Sequence, residues 1–378
     1  MKILLFANTD WYIYNFRRSL AEYLRDAGHE VLLVSPSGPH GKRLVALGFR
    51  WVVAPMSRRS LNPLRELFLI FWLRKLMKQE RIGLVHGFTI KNAVYSSLAA
   101  RLASVPMRVS AVTGLGYVFS SEDRLARVLR PALRMVLRFA LSGRGTRLIL
   151  QNPDDVRLFI DSGMVAPEKI CLIAGSGVDC ARFAPNVAAL SGMERPFRIV
   201  LPARLLWDKG LAEYAEASRL LRSEGLAIEF LLAGMPDPGN PASIPEALLK
   251  EWSEAGLVSL LGQVEDMPSL YNSVDAVVLP SYREGLPKGL IEAAACGRPL
   301  ITTDVPGCRE VVTHEQDGLL VPVRDSIALA AAIRRLHGDR ELCRRLGAAA
   351  REKALVYFDE RIIISQTMAV YDELASGG

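Results

Sequence analysis

The sequence predicts an α/β protein with two doubly wound, Rossmann-like parallel-sheet domains. Three observations support this fold class. Short apolar segments of strand length alternate with amphipathic segments of helix length through both halves of the chain. A length of 378 residues allows two domains with full cores. A stretch rich in glycine and proline near the middle, residues 174–196, has the composition of a linker.

In the first half, predicted strands alternate with predicted helices, as a parallel sheet with crossover helices requires. The strands are Lys2–Ala7, Glu30–Ser35, Trp51–Ala54, Leu84–His86, Met107–Ala111, Arg147–Gln151 and Ile170–Ile173. The helices are Tyr14–Ala27, Gly41–Leu47, Leu64–Gln79, Ala93–Ala103 and Arg124–Ala140.

The second half repeats this alternation. We therefore assign residues 1–185 to a first domain and residues 195–357 to a second domain. The strands of the second domain are Arg198–Leu201, Ile228–Ala233, Val258–Leu261, Ala276–Leu279, Leu300–Thr302 and Gly318–Val321.

A loop and a helix in the second half form the most informative segment. Pro287 suits the first position of a helix, and Gly285 and Gly289 allow a ligand to approach the backbone. Glu284 precedes the helix, and Glu292 lies a little over one turn inside it. Carboxylates there repel phosphate but suit sugar hydroxyls, so the pattern indicates a sugar-nucleotide site; two surface glutamates on an ordinary helix are the alternative. The helix amides expected to bind phosphate are those of Leu286, Lys288 and Gly289.

Two cations form a second group of candidate residues. Arg204 and Lys209 lie between a short apolar strand and the next predicted helix. Cations at the carboxyl end of a parallel strand suit a diphosphate, and they can stabilise the charge that develops on a leaving phosphate. Taken alone, such a pair is more often part of a solvated surface.

Charge is distributed unevenly along the chain. Residues 1–190 carry 27 Lys and Arg against 13 Asp and Glu, a net charge of +14, whereas residues 191–378 carry 20 against 27, a net charge of −7. The basic half favours an anionic partner, either a membrane or a polyanion. No nucleic-acid motif accompanies the charge, so no nucleic-acid partner is expected.

Two segments of the basic half combine cations with apolar side chains. The apolar run 67–73 has cations on both sides; it cannot span a bilayer, which takes about twenty residues, but it can lie in the interface. Residues 124–141 have the pattern of a basic amphipathic helix. Packing of both helices on the first domain's own sheet is the alternative. The predicted membrane contacts are Phe71, Trp72, Arg74, Lys75, Arg127, Arg134 and Arg138.

The cysteines indicate a reducing compartment. All five are scattered, without a C-x-x-C pair or the spacing of metal ligands. The chain starts with a short strand-like run that does not have the pattern of a signal peptide. We expect a cytoplasmic protein, peripheral on the inner face of the cell membrane, with no metal site.

The spacing of Glu284 and Glu292 resembles the E-x7-E element of the family 4 glycosyltransferases, which have the GT-B fold. Arg204 and Lys209 match the family's donor-diphosphate element, and the Gly-Val-Asp passage at 177–179 resembles its interdomain passage. The resemblance implies two domains that face a cleft, with a C-terminal helix over residues 358–378 that crosses back to the first domain.

The resemblance also assigns roles on the donor side. Arg204 and Lys209 would bind the donor diphosphate, Glu284 would hold the transferred sugar, and Glu292 would hold the ribose. The backbone near Val264 would meet the nucleotide base. The donor would be a nucleotide sugar, with a UDP-sugar favoured and no further cofactor required. Since the sequence contains no Asp-x-Asp triplet, the metal-dependent GT-A class is not expected.

The first half resembles the branch of the family that builds bacterial surface glycans and lipid-linked oligosaccharides. This implies a retaining enzyme that transfers a hexosamine or hexose to a membrane-anchored, undecaprenyl-diphosphate-linked saccharide. The glycine-rich loop of many members is missing after the first strand, and Thr113 stands where distant members place a histidine. An interior role for His86 is as plausible as acceptor contact. The candidate acceptor-side residues are Asn8, Arg17, Arg18, His86, Lys91, Thr113 and Gly114.

Two other functions stay open from the sequence alone. A GT-B sugar-nucleotide epimerase would turn over the same donor without a lipid acceptor, and a non-enzymatic membrane-associated protein would only bind the nucleotide. A hydride-transfer enzyme fits poorly, because no Gly-x-Gly-x-x-Gly follows the first strand.

Overall fold

The computed structural model describes residues 1–57, 62–113, 131, 134–186 and 195–377. The chain divides into two compact units. The first unit comprises Met1–Ser176 and Ile363–Gly378, and the second comprises Gly177–Ile362. Of the helix predicted over Arg124–Ala140, residues 131 and 134–140 are described and helical. The candidate residues Gly114 and Arg127 lie outside the described residues.

The strands of the first unit are β1 (Lys2–Phe6), β2 (Glu30–Ser35), β3 (Arg50–Val53), β4 (Leu84–Phe88), β5 (Met107–Val112), β6 (Thr146–Leu150) and β7 (Ile170–Leu172). In the described part of the unit they form one parallel sheet in the order β3-β2-β1-β4-β5-β6-β7. The central residues of β1, β2, β4, β5 and β6 are buried, as expected for a sheet covered on both faces by helices, whereas the edge strands β3 and β7 are partly exposed.

The helices of the first unit follow its strands and begin where the sequence supplies caps. Asn62 accepts from the amide of Leu64 at 3.0 Å, and Pro63 occupies the first turn that follows. The described helices are α1 (Asp10–Tyr12), a π-helix (Ile13–Arg17), α2 (Arg18–Asp26), α3 (Gly41–Ala46), α4 (Pro63–Gln79), α5 (Ile90–Ala103) and α6 (Pro153–Asp161).

The strands of the second unit are β8 (Phe197–Pro202), β9 (Ile228–Ala233), β10 (Ser259–Gly262), β11 (Ala276–Leu279), β12 (Leu300–Thr303) and β13 (Leu319–Val321). Within the described residues they form a parallel sheet in the order β10-β9-β8-β11-β12-β13. The order reverses between β8 and β11, so a crevice is expected at their carboxyl ends.

The helices of the second unit alternate with these strands. The last helix of the chain is shared between the units: its residues from Ile363 onward belong to the first unit, where Tyr371 is fully buried in the core. The predicted fold class, including this return, is confirmed. The described helices are α7 (Leu211–Ser223), α8 (Glu246–Glu254), α9 (Met267–Asn272), α10 (Lys288–Ala295), α11 (Cys308–Val311), α12 (Ser326–Gly338), α13 (Arg340–Lys353) and α14 (Glu360–Ala375).

Candidate active site

The donor-side candidates meet where the strand order of the second unit reverses. Arg204 and Lys209 follow β8, and Glu284 follows β11, the neighbouring strand. Because both strands run in the same direction, their carboxyl ends lie at one edge of the sheet. The topology therefore brings the three residues together at the edge where ligands of doubly wound sheets bind.

Lys209 and Glu284 form a direct ion pair. The Lys209 Nζ atom lies 2.5 Å from Glu284 Oε1, and both side chains are largely buried. Lys209 ends a 3-10 turn, and Gly210 follows with a φ of 73°. A Cβ atom at Gly210 would lie 2.1 Å from the carbonyl oxygen of Pro280, so glycine is required for this close approach of the two segments.

The loop that carries Glu284 is fixed by hydrogen bonds to its neighbours. The amide of Tyr282 and the hydroxyl of Ser281 both donate to the carbonyl oxygen of Asp208, at 2.8 and 2.9 Å. The amide of Glu284 donates to the carbonyl oxygen of Pro306 at 3.2 Å. Since Asp208 adjoins Lys209, the bonds to Asp208 fix the segment that carries Lys209 against the loop that carries Glu284.

A second contact supports the same loop from the side. The hydroxyl of Tyr282 donates to Glu213 Oε1 at 2.8 Å, and the guanidinium of Arg324 lies 4.7 Å from the centre of the Tyr282 ring. Burial and the bond to Glu213 raise the pKa of Tyr282 to about 12, so this hydroxyl stays protonated. No local pattern in the sequence indicates this contact, because 69 residues separate its partners.

Arg204 is half exposed and is paired with Asp237. Its Nη1 atom lies 3.0 Å from Asp237 Oδ2. The side chain of Asn240 donates to the same oxygen at 3.1 Å, and the hydroxyl of Ser243 accepts from the amide of Asp237. Asp237 was not predicted: a Pro-Asp-Pro-Gly segment signals a turn but says nothing about its partner.

The helix α10 starts one residue later than the sequence predicts. Pro287 has a ψ of 103° and is the cap, so the helix begins at Lys288, and the Pro287 side chain makes no capping hydrogen bond. The start of a helix is the end whose amides and dipole suit an anion. Gly289 lies close to β8, since a Cβ atom there would be 3.1 Å from the carbonyl oxygen of Pro202. Leu286 is partly exposed in the preceding loop.

Glu292 lies on the same helix as these amides. Its Oε2 atom accepts from the hydroxyl of Tyr271 at 3.2 Å. Burial raises the pKa of Glu292, while the charge of Lys288 and the bond from Tyr271 act in the opposite direction. Tyr271 is fully buried and is not among the predicted residues, because a single tyrosine between Leu270 and Asn272 does not indicate a partner 21 residues away.

Val264 lies in the segment after β10, where it is partly exposed. Beside this edge of the sheet is a pocket of about 340 Å³ between β9, β10 and α8. Apolar side chains supply much of its lining, which includes Leu205, Met235, Leu249 and Leu260. Leu205 adjoins Arg204, so the pocket lies next to the donor-side cations.

In the first unit, three of the acceptor-side candidates are placed by neighbouring strands. Asn8 follows β1, His86 lies in β4, and Thr113 follows β5. The order β1-β4-β5 places the ends of these strands side by side at the point where this sheet's order also reverses. Asn8 and Thr113 are partly exposed at that edge.

Arg17 and His86 are buried. The Arg17 guanidinium lies 4.4 Å from the centre of the Phe88 ring and donates to the Tyr12 hydroxyl at 3.2 Å. His86 Nδ1 lies 2.7 Å from the hydroxyl of Tyr371. Burial, assisted by the charge of Arg17, holds the pKa of His86 well below its ordinary value. The imidazole is therefore neutral at pH 7 and is an interior group that fixes the last helix.

The other two acceptor-side cations are engaged at the surface of the unit. Lys91 Nζ lies 2.9 Å from Glu66 Oε1, so it fastens the start of α5 to the start of α4. Arg18 Nε lies 3.6 Å from Glu22 Oε1, and its guanidinium lies over the ring of Tyr14. Lys91 and Arg18 are thus held by ion pairs with carboxylates, whereas Arg17 and His86 are buried.

An apolar–basic face covers one side of the first unit. On α4, Phe68 and Phe71 are 59% and 49% exposed, whereas Trp72 is partly buried against the core beneath. Arg74 Nε donates to the carbonyl oxygen of Leu102, and the Arg101 guanidinium lies 4.2 Å from the Phe139 ring, so α4, α5 and helix 134–140 adjoin. The exposed members of this face are Leu64, Leu67, Phe68, Phe71, Lys75, Leu102, Arg134, Met135, Arg138 and Phe139.

The described residues contain no helix that is both long enough and apolar enough to cross a bilayer.

Two family profiles match the two halves of the chain. The profile described as glycosyl transferase 4-like matches residues 2–152, and the profile described as glycosyl transferases group 1 matches residues 196–339. These ranges contain the acceptor-side and donor-side candidates respectively. The chain is a family 4 glycosyltransferase. Its fold and enzyme class, predicted from the Glu284 segment and the Arg204 segment, are confirmed.

This glycosyltransferase is similar to known bacterial glycosyltransferases over most or all of its length. It is 28% identical to the N,N'-diacetylbacillosaminyl-diphospho-undecaprenol alpha-1,3-N-acetylgalactosaminyltransferase of Campylobacter jejuni, over 99% of both chains. It is also 28% identical to the UDP-Gal:alpha-D-GlcNAc-diphosphoundecaprenol alpha-1,3-galactosyltransferase of Escherichia coli, over 76% of this chain and 75% of the relative.

Solved structures share the fold of the glycosyltransferase at low sequence identity. HepE from Anabaena, crystallised in complex with UDP and glucose, has a TM-score of 0.79 at 20% identity, over 98% of this chain and 99% of that one. Sucrose-phosphate synthase from Thermosynechococcus elongatus has a TM-score of 0.79 at 21% identity, over 100% of both chains. At such identities the likeness concerns the fold alone.

Proposed function

We propose that this glycosyltransferase transfers a hexosamine or hexose, with retention, from a nucleotide sugar to an undecaprenyl-diphosphate-linked saccharide. The observation that carries the proposal is the ion pair of Lys209 and Glu284 at the switch point of the second sheet. It joins a cation suited to a diphosphate with a carboxylate suited to sugar hydroxyls. The names of the two undecaprenol-linked relatives support the acceptor class.

On the donor side, the diphosphate would bind the first amides of α10 together with Lys209 and Arg204. Arg204 is half exposed, so it can exchange Asp237 for a phosphate oxygen without an added desolvation cost. Glu292 would accept from the ribose, and the pocket beside Leu205 would hold the base. A UDP-sugar fits this arrangement, and no metal is assigned a role.

The transfer itself would use the donor's own phosphate as the base. The bond between the sugar's anomeric carbon and the diphosphate oxygen breaks, and a bond from an acceptor hydroxyl forms on the same face. The acceptor's proton passes to the departing phosphate oxygen. Lys209, Arg204 and the helix amides would stabilise the charge that develops on the diphosphate, while Glu284 would orient the sugar.

On the acceptor side, the first unit would bind the saccharide at the carboxyl ends of β1, β4 and β5. Asn8 and Thr113 are partly exposed there and are suited to hydroxyl groups. The apolar–basic face would rest on the inner leaflet of the cell membrane, where each cation near an anionic surface is worth about 1 kcal/mol. Phe68 and Phe71 would enter the headgroup region, which places a lipid-linked acceptor within reach.

The first experiment compares ligands by thermal stability. We expect UDP-sugars to raise the melting temperature and NAD to leave it unchanged. A panel of UDP- and GDP-sugars is then incubated with the enzyme and a bacterial lipid extract, and the released nucleotide is measured. Release that requires the lipid supports the proposal. A donor sugar that is isomerised without any acceptor would indicate an epimerase and would overturn it.

A further inference from the structure

Tyr271 connects two segments of the second unit that belong to the proposed donor site. It lies in α9, the short helix that follows the Val264 segment, and its hydroxyl reaches Glu292 on α10 at 3.2 Å. The side chain is fully buried. A Cβ atom at Gly289 would lie 3.4 Å from the Tyr271 oxygen, an ordinary contact distance, so the hydroxyl lies against α10 at this point. The segment expected to meet the base is thus tied to the carboxylate expected to hold the ribose.

The hydrogen bond from Tyr271 restricts the orientation of the Glu292 carboxylate. A carboxylate on an exposed helix face samples several rotamers, whereas one bonded to a buried hydroxyl is held in a single orientation. The bond uses Oε2, and the carboxylate can accept further bonds from a ligand. The charged groups that act on Glu292 are Lys288 on its own helix and Arg182 from the chain before β8, and both favour its ionised form.

We propose that Tyr271 is a positioning residue, which orients Glu292 toward the vicinal 2′ and 3′ hydroxyls of a ribose, so that the enzyme selects ribonucleoside diphosphates over 2′-deoxyribonucleoside diphosphates. The proposal rests on the proposed donor site. Two neighbouring hydroxyls can donate to one fixed carboxylate, whereas a deoxyribose offers only one donor. Donors such as UDP- or GDP-sugars would then be accepted, and sugars activated with thymidine diphosphate would be rejected.

The test measures the Kd of UDP and of GDP, each against its 2′-deoxy form, by calorimetry. For the wild-type enzyme we expect the ribonucleotide to bind about tenfold more tightly than its deoxy form, as the loss of one hydrogen bond to a charged group implies. Tyr271→Phe removes only the hydroxyl. We expect it to weaken ribonucleotide binding about fivefold and to leave deoxynucleotide binding nearly unchanged. The ratio of the deoxynucleotide Kd to the ribonucleotide Kd should then fall from about ten to about two.

Tyr214→Phe is the matched control. Tyr214 is also fully buried in the second unit, but its hydroxyl donates to the carbonyl oxygens of Ile199 and Leu231, both at 3.1 Å. It should keep the wild-type ratio even if it lowers the melting temperature. Glu292→Gln leaves Tyr271 in place and should also collapse the ratio, and adding Tyr271→Phe to it should change the ratio no further.

A pH series separates positioning from general loss of packing. Because the bond from Tyr271 favours the ionised carboxylate, Tyr271→Phe should move the acidic loss of ribonucleotide affinity to higher pH. The inference is overturned if a folded Tyr271→Phe enzyme keeps the wild-type Kd ratio. It is also overturned if Tyr214→Phe lowers that ratio as much as Tyr271→Phe does. If the wild-type enzyme binds neither UDP nor GDP, the donor site itself is wrong and the inference falls with it.

Discussion

Lys209 and Glu284 are 75 residues apart in the chain, and their side chains meet at 2.5 Å. Lys209 is held by the turn that Gly210 closes, and Glu284 by a loop bonded to Asp208 and Pro306. The cation that we propose for the leaving diphosphate and the carboxylate that we propose for the sugar are therefore fixed relative to each other before any ligand binds. Such preorganisation is the main source of electrostatic catalysis.

Arg204→Ala should slow transfer without unfolding the enzyme. The half-exposed pair with Asp237 contributes at most about 1 kcal/mol to the free energy of unfolding. Loss of a cation from the developing diphosphate charge should lower kcat about 10²- to 10³-fold. The control is Arg219→Ala, which removes an exposed surface ion pair with Glu216 on α7. Normal turnover in Arg204→Ala would remove this residue from the donor site.

Lys209→Ala should have the same kinetic effect with a larger structural cost. It leaves the largely buried Glu284 carboxylate without its partner, so we expect a lower melting temperature as well as slower transfer. The double variant Lys209→Ala, Glu284→Ala should recover part of the melting temperature and none of the activity. Recovery of activity would show that the pair is only structural.

Glu292→Gln should stabilise the free enzyme and weaken donor binding. Burial raises the pKa of Glu292, so the folded state takes up its proton more readily than the unfolded state. The charged carboxylate therefore costs stability above this raised pKa, and the cost disappears as the pH falls through it. The variant should melt at a higher temperature at pH 8, with a gain that shrinks toward pH 4. A lower melting temperature at pH 8 would contradict this.

Replacing Phe68 and Phe71 by serine should reduce binding to anionic vesicles. Replacing each exposed ring removes about 1.5–3 kcal/mol of favourable burial free energy in the membrane interface. The double substitution should therefore weaken vesicle binding by at least 10²-fold. Ile327→Ser is the control, because Ile327 is 73% exposed and belongs to the second unit, so it is not part of the apolar–basic face. Sedimentation with vesicles of phosphatidylcholine, with and without phosphatidylglycerol, measures the effect. Equal binding to both vesicle types would remove the electrostatic part of the account.

The sequence predicts the fold and the donor-side residues because both depend on local patterns. Strands and helices follow from apolar periodicity. Arg204, Lys209 and Glu284 come shortly after strands, and Glu292 lies in the helix that follows Glu284. Contacts between distant segments leave no such pattern. The sequence therefore predicted neither the Asp237 partner of Arg204 nor the Tyr271 partner of Glu292.

The first unit shows the same limit. An apolar run is equally compatible with a buried and an exposed face, so Trp72 was grouped with Phe71 although the helix turns Trp72 partly toward the core. Arg17 is a candidate acceptor-side residue because it is a cation near the first strand. The π-helix places its guanidinium over the Phe88 ring, a contact that only three-dimensional packing could locate.

Tyr371→Phe should destabilise the enzyme by about 1–3 kcal/mol, because it leaves His86 Nδ1 buried without a partner. Tyr23→Phe, at an exposed tyrosine of the same unit, should have no effect. Urea unfolding measures both.

The pKa of His86 is depressed below its ordinary value of 6.5, so its contribution to stability is present above that pH and is lost as the pH falls below it. His86→Gln should reduce this acidic loss; an unchanged pH profile would contradict the neutral, buried state.

The most direct test of the central claim uses a purified undecaprenyl-diphosphate-linked N-acetylhexosamine as acceptor with UDP-sugars as donors. Mass spectrometry follows the lipid, and the released nucleotide is measured in parallel. We predict that the lipid gains the mass of one sugar with one UDP released per transfer, and that Arg204→Ala lowers the rate of both signals about 10²- to 10³-fold. An unchanged lipid across the panel of UDP- and GDP-sugars, in a sample that binds UDP, would contradict the proposed transfer.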